Sequence, residues 1–266
     1  MASLIIASKR DTAAQTISAE LRLLEDFHEA GAKDLFRSGD VYLKHVETEG
    51  IYTNTIEVGF SPEVVIFASR HRSEANEPAL TVHWTGNSTG RADLGGNPKS
   101  LSLADPPRLR AALLALDLAR DREKLNYTVT LEATHHGPTE LGVPTLFVEV
   151  GSTEREWGDR AAGAVAAEAI WAAATKPANG KVAVGFGGGH YCNKHCSAVR
   201  ENGYAFSHIF SKYFFEDYDE SVVRMAYDRT VGGCRTAVID WKGIRGHERT
   251  RLLNDLRQMN VEVIRV

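Results

Sequence analysis

No apolar run in this chain reaches the roughly 18 residues that a membrane span needs, and its start, MASLIIASKRD, lacks both a basic leader and a small-residue cleavage site. A cytoplasmic protein with no membrane contact is expected. Cysteine is scarce: Cys192, Cys196 and Cys234 are the only three in 266 residues. Such an odd, sparse set is unlike the paired framework of a small secreted domain and fits a reducing compartment. No H-E-x-x-H helix occurs, and no G-x-x-x-x-G-K-[ST] follows the glycine run at 187–189, so neither a zincin site nor a nucleotide-phosphate loop is expected. A dominant charge is missing too, since the net charge is only -4, which excludes a uniformly basic nucleic-acid binder. The charge is nonetheless uneven. Residues 181–266 hold 13 Lys or Arg against 10 Asp or Glu, an excess of +3, which leaves -7 for residues 1–180. That asymmetry permits a basic face for phosphate contacts and is equally compatible with solvated surface charge.

What is present reads as one α/β unit over 1–266. Hydrophobic residues make up 43% of the chain, enough for a sizeable core at this length. Short apolar runs at 4–8, 63–68, 79–84, 127–131, 145–150, 181–186, 237–241 and 261–266 predict strands, and 40–45 with 51–58 read as strands of a meander. Helical spacing of Ile17, Leu21 and Leu24 predicts a helix opened by Asp11 or Thr12. Pro106 and Pro107 open another, with Leu109, Leu113 and Leu116 on one stripe. A capping box from Ser152 or Thr153 to Glu156 begins an alanine-rich run to 174, expected as one long helix. Further helices are expected at 220–229 and 246–258. The segment 87–100, NSTGRADLGGNPKS, is a long polar loop, a kind often functional in compact domains.

The stretch 127–152 organises the rest, because two strand-like runs flank a polar turn carrying His135 and His136. Similar polar clusters close five expected strand ends, at 69–71, 83–87, 134–137, 151–152 and 187–191. In open α/β sheets ligands bind at the carboxyl ends of strands, so these clusters predict a shared pocket. Histidine near neutral pH serves as a general base or as a neutral metal ligand, and the pattern alone does not choose between them. Cys192, His195 and Cys196 in CNKHC have spacing that suggests zinc, although paired CxxC knuckles are absent.

Taken together, SRHRS (69–73), LTVHWTGN (80–87), LEATHHGPT (131–139), FVEVGSTEREW (147–157), GFGGGHY with Lys194, HIFSKY (208–213) and DWKG (240–243) resemble the archaeal and plant type of D-aminoacyl-tRNA deacylase. The resemblance spans most of the chain, and the joint occurrence of ATHHGP and GGGHY carries it. It implies a three-layer, phosphorylase/hydrolase-like mixed sheet with helices on both faces. It also implies hydrolysis of the ester joining a D-amino acid to tRNA, aldehyde-modified forms included, with zinc as cofactor and tRNA as partner. The family pattern falls on His71, His83, Asn87, His135, His136, Glu149, His190, Tyr191, Lys194, His208 and Lys212. His135, His136, His190 and Glu149 are the expected catalytic set, with the three histidines as metal ligands. Gly95, Gly96, Gly188 and Gly189 are expected to wall the substrate pocket, and Lys194, Lys212 and Lys242 to meet phosphate. HYCNKH departs from the family's HYxPKF at Asn193 and His195. The competing readings are a peptidyl-tRNA or nucleoside-type hydrolase on the same fold, and a tRNA-binding protein without chemistry.

Overall fold

Six-residue apolar runs such as SLIIAS, too short for a stable helix, become strands when neighbours bury both of their faces. The computed structural model describes residues 2–266. Its strands are β1 (Ser3–Ser8), β2 (His28–Glu29), β3 (Leu35–Ser38), β4 (Val41–Val46), β5 (Val64–His71), β6 (Ala79–Trp84), β7 (Gly86–Asn87), β8 (Ser100–Leu101), β9 (Thr128–Leu131), β10 (Thr145–Gly151), β11 (Lys181–Phe186), β12 (Tyr204–Phe210), β13 (Thr236–Ile239) and β14 (Glu262–Arg265). Its helices are α1 (Thr12–Leu24), α2 (Pro106–Arg122), α3 (Glu154–Trp157), α4 (Arg160–Thr175), α5 (Asn193–Asn202), α6 (Glu220–Asp228) and α7 (Gly246–Gln258). No helix among the described residues is long and apolar enough to cross a membrane.

The α/β class expected from the sequence is found, distributed over two main sheets. The larger has the order β2-β3-β4-β1-β5-β10-β6-β9, with β4, β1, β5 and β10 parallel and β6 antiparallel to β10. A second sheet, β12-β11-β13-β14, is wholly parallel. One face of the large sheet, with Ile5, Ile66, Val82 and Val148, packs on α1, α2 and α4. That core also takes in Ala183, Phe206 and Val238 of the second sheet. The opposite face of the large sheet, with Leu4, Ile6, Val65, Phe67 and Phe147, is covered by Ile51, Ile56, Val58 and Phe60 from an irregular segment and not by a helix. Helices lie on both faces of the second sheet: α5 and α2 on one, α6 and α7 on the other.

Local differences from the sequence reading have physical causes. Residues 51–58, expected as a strand, form only a 3-10 turn at Gly50–Tyr52 and irregular cover. β4, the strand they would join in a meander, already has β1 and β3 on its two edges, so a further strand has no ladder to join there. The alanine-rich helix is broken after Trp157: Asp159 caps a new helix, its carboxylate accepting from the Ala161 and Ala162 N–H groups. Such a cap contributes about 1 kcal/mol. The capping box of Thr153 and Glu156 is present and opens the short α3. α5, through the CNKHC motif, was not expected as a helix. β5 runs to His71, so Ser69 and His71 lie within a strand and not beyond its end.

Candidate active site

Side chains alternate across a strand, so register decides which residues share a face. Phe67, Ser69 and His71 lie on one side of β5. Phe147 pairs with His83, Glu149 pairs with Ser69 and Thr81, and Gly151 pairs with His71. Thr81 also pairs with Thr130, which places Glu132, two residues on, beside His83. The face that is phenylalanine at Phe67 and Phe147 therefore becomes histidine and carboxylate one pleat further along, where the irregular cover ends. The loop after β9 adds His135 and His136. The turn after β11 adds His190, held because the Ala133 N–H donates to the His190 carbonyl at 2.9 Å. A cavity of about 470 Å³ opens on His71, His135, His136, Glu149 and His190.

Glu132 and Glu149 are buried side by side among five imidazoles. His71 Nδ1 lies 3.1 Å from Glu132 Oε1 and 3.4 Å from Glu149 Oε2, and its Nε2 is 2.7 Å from the Tyr191 hydroxyl. His83 Nε2 stands 3.7 Å from an oxygen of each carboxylate. His190 Nε2 is 3.4 Å from Glu132 Oε1, and His136 Nε2 is 3.9 Å from Glu149 Oε1. Burial opposes ionisation of both acids. The surrounding histidines nevertheless hold Glu149 well below the usual carboxylate range, and His190 with the nearby His71 keeps Glu132 lowered. Burial likewise opposes charge on His71 and His83, yet the two carboxylates raise both. His135 goes the other way: burial and three neighbouring imidazoles keep it neutral, and burial also lowers His136.

The donor set suits a cation. His83, His135 and His136 each turn Nδ1 to a backbone carbonyl, of Trp84 at 3.1 Å, Ala133 at 2.9 Å and Gly137 at 2.7 Å. Each therefore keeps its proton on Nδ1 and aims the Nε2 lone pair inward, the usual state of a ligating histidine. His83 Nε2 and both oxygens of Glu132 are buried without a hydrogen-bond partner, and unpartnered buried polar atoms are costly. Three groupings have their donor atoms close enough to hold a metal ion: His83 with His135 and His136; Glu132 with His135 and His190; His71 with Glu132 and Glu149. The expected trio of His135, His136 and His190 thus lies in the cluster, but divided between groupings.

Other expected residues are placed differently. Asn87 donates to the Gly95 and Asn97 carbonyls, holding the glycine loop. Gly95 and Gly96 pack on Ile51 and the Gly137 turn, and Leu94 rather than either glycine lines the pocket. Gly188 and Gly189 line a separate cleft with Lys212. The Gly187 and Gly188 N–H groups are spent on the Phe210 and Gly243 carbonyls. Lys194 is exposed on α5 and lines neither cavity. His208 is fully buried between Thr134 and the Ser102 carbonyl and does not reach the pocket. Cys192, His195 and Cys196 belong to no metal grouping among the described residues: His195 meets the Val238 carbonyl and Cys196 the Leu131 N–H. The letters GNSTG at 86–90 match a nucleophile elbow, but the strand there has two residues, no helix follows, and no histidine bonds Ser88. Glu132 is the residue of this cluster that sequence reasoning missed; its signal was its place beside ATHH, one alternation past Thr130.

With this geometry in view, a profile described as D-aminoacyl-tRNA deacylase matches residues 58–264. The chain is 38% identical to the D-aminoacyl-tRNA deacylase of Thermococcus onnurineus over 98% of both proteins. It is 39% identical to that of Methanosarcina mazei over 86% of this chain and 76% of the relative. A crystal structure of a conserved protein of unknown function superposes with a TM-score of 0.91 at 33% identity, over 99% of this chain and 95% of the other. A match over most of the chain, with relatives similar nearly end to end, means that this chain belongs to the D-aminoacyl-tRNA deacylase family.

Proposed function

We propose that this protein hydrolyses the ester between a D-amino acid and tRNA, releasing both, and that zinc is its cofactor. The observation that carries this reading is the buried pair Glu132 and Glu149, ringed by five imidazoles at the floor of a cavity, in a chain of this family. An imidazole and carboxylate set suits zinc. His83, Glu132, His135, His136 and His190 would hold it, with Glu149 and His71 in contact with that set. A bound zinc would polarise the ester carbonyl and lower the pKa of an attacking water.

The chain's own groups supply the rest. His135 is kept neutral by burial and its Nδ1 proton is tied to Ala133, so its Nε2 lone pair is the atom that would face the metal. Glu132 and Glu149 favour positive charge on His71, an imidazole outside the set that would hold the metal, which suits it to take a proton from the attacking water. Tyr191, bonded to His71, places a hydroxyl at the rim where the departing ribose oxygen needs a proton. Enantiomers present the same ester, so selectivity comes from shape: the Leu94 to Gly96 loop is fixed against Ile51 and Gly137 and is not easily displaced.

The test is release of labelled amino acid from matched D-tyrosyl-tRNA and L-tyrosyl-tRNA, with peptidyl-tRNA as a third substrate. A D-form preference of about a thousandfold, roughly 4 kcal/mol, is expected. Equal rates on both enantiomers, or turnover of peptidyl-tRNA alone, defeat the proposal.

A further inference from the structure

The second sheet has its own site, which the chemistry above does not use. Its strand order, β12-β11-β13-β14, runs 2-1-3-4 in chain order and is wholly parallel. The connection from β11 leads to one side and the next returns to the other, so the topology reverses between β11 and β13. In open parallel sheets that switch point leaves a crevice beyond the carboxyl ends of the strands. Here it is a cleft of about 450 Å³, lined by the loops that follow β11, β12 and β13. Those loops bring Lys212, Lys242 and Arg245 together. Lys212 and Lys242 are exposed and have no carboxylate partner, while Lys212 lies over the Tyr213 ring at 5.2 Å. Tyr213 is itself 54% exposed, an unusual state for a large aromatic. Two carboxylates line the same cleft. Glu248 is turned back to the Arg245 N–H at the start of α7, and Glu216 is exposed.

A basic groove with an exposed aromatic ring is the combination that binds single-stranded nucleic acid: cations follow the phosphates and the ring stacks on a base. Position supports the same occupant. The turn that lines the cleft with Gly188 and Gly189 delivers His190 to the histidine pocket. Residues 188 and 190 are at most about 7 Å apart along the backbone, so a strand in the cleft needs only to cross this turn to put its 3′ end beside the buried carboxylates. We infer that the cleft at Lys212, Tyr213, Lys242 and Arg245 holds the single-stranded 3′ end of the tRNA, with Lys212 and Lys242 on its phosphates and Tyr213 stacked on a base. This deepens the proposed function and rests on it only for the identity of the strand.

Binding of a short fluorescent RNA strand ending in CCA tests it without requiring turnover. The double variant Lys212→Gln/Lys242→Gln is expected to bind at least tenfold more weakly and to lower the slope of log affinity against log salt by about 1.4, at about 0.7 per lost contact on a single strand. Tyr213→Ala should lose at least about fivefold, and Lys176→Gln, on an unrelated exposed lysine, nothing. The ratio of kcat/KM on D-tyrosyl-tRNA to that on D-tyrosyl-adenosine, which has no phosphate, should fall about tenfold in the double variant. Binding within twofold of wild type, equal affinity for a blunt duplex, or an unchanged ratio overturns the inference. If the wild type spares D-aminoacyl-tRNA yet binds the RNA strand through these lysines, the deacylase reading fails and the cleft assignment stands.

Discussion

A carboxylate buried in a protein interior with neither oxygen accepting a hydrogen bond is an expensive group to keep, and Glu132 is such a group. Glu132→Gln preserves its shape while removing the charge that His71, His83 and His190 face. The expected outcome is a fall in kcat/KM of about a hundredfold, roughly 2.7 kcal/mol, with a loss of bound metal and little change in melting. Unchanged turnover at normal metal content would show that Glu132 is only a structural acid. His195 and His208 act at the same scale but on stability. Burial lowers each to a pKa of about 4, whereas in the unfolded chain both titrate near 6.5. Between those values the unfolded state binds more protons, so stability is whole above about pH 6.5 and declines as pH falls toward 4, by at most roughly 3 kcal/mol for each histidine. Urea midpoints measured from pH 7 to pH 4 check this, and His208→Gln should flatten the curve.

At the scale of elements, the loop after β9 matters most, because it carries two site histidines and turns on glycine. His136 has φ +48, in the left-handed region that few non-glycine residues adopt. It is held there by its ring bond to the Gly137 carbonyl, and the Gly86 N–H donates to the His136 carbonyl at 2.8 Å. Directly behind, a Cβ on Gly137 would strike the backbone of Gly95, Gly96 and Ile51. Gly137→Ala is therefore expected to push the glycine loop away, lowering the melting temperature and cutting activity together, since both histidines ride on that contact. A variant that melts and turns over as wild type does would mean that the two loops are not packed as described.

For the whole molecule, the proposed zinc predicts metal dependence. Dialysis against a chelator should abolish hydrolysis, and added zinc should restore it. Melting should fall as well, because a metal bound only by the native state adds about 4 kcal/mol at a thousand times its dissociation constant. Circular dichroism should still report a folded protein, since the cores against α1, α2 and α4 and against α6 and α7 contain no site residue from the metal groupings. A metal-free protein with full activity would leave the histidines as bases and hydrogen-bond donors alone.

Much of this protein follows from its sequence. Short apolar runs bounded by glycine and polar residues dictate strands, the spacing of Ile17 and Leu21 dictates α1, and the segments ATHHGP and GGGHY identify the family, because these are local patterns that the chain carries along its own length. The site was only partly legible, because its members are assembled across strands. Whether His83 meets Glu132 depends on the pairing of Thr81 with Thr130, and whether His71 meets Glu149 depends on the register of β5 with β10. Nothing near Glu132 in sequence tells that its partners lie on three other strands and a distant turn. His208 shows the converse: its motif matched, yet packing between Thr134 and Ser102 took it out of the pocket. Local propensity determined the elements; register and burial, which exist only once the sheets are paired, decided which polar groups share a low-dielectric interior and hence which can do chemistry.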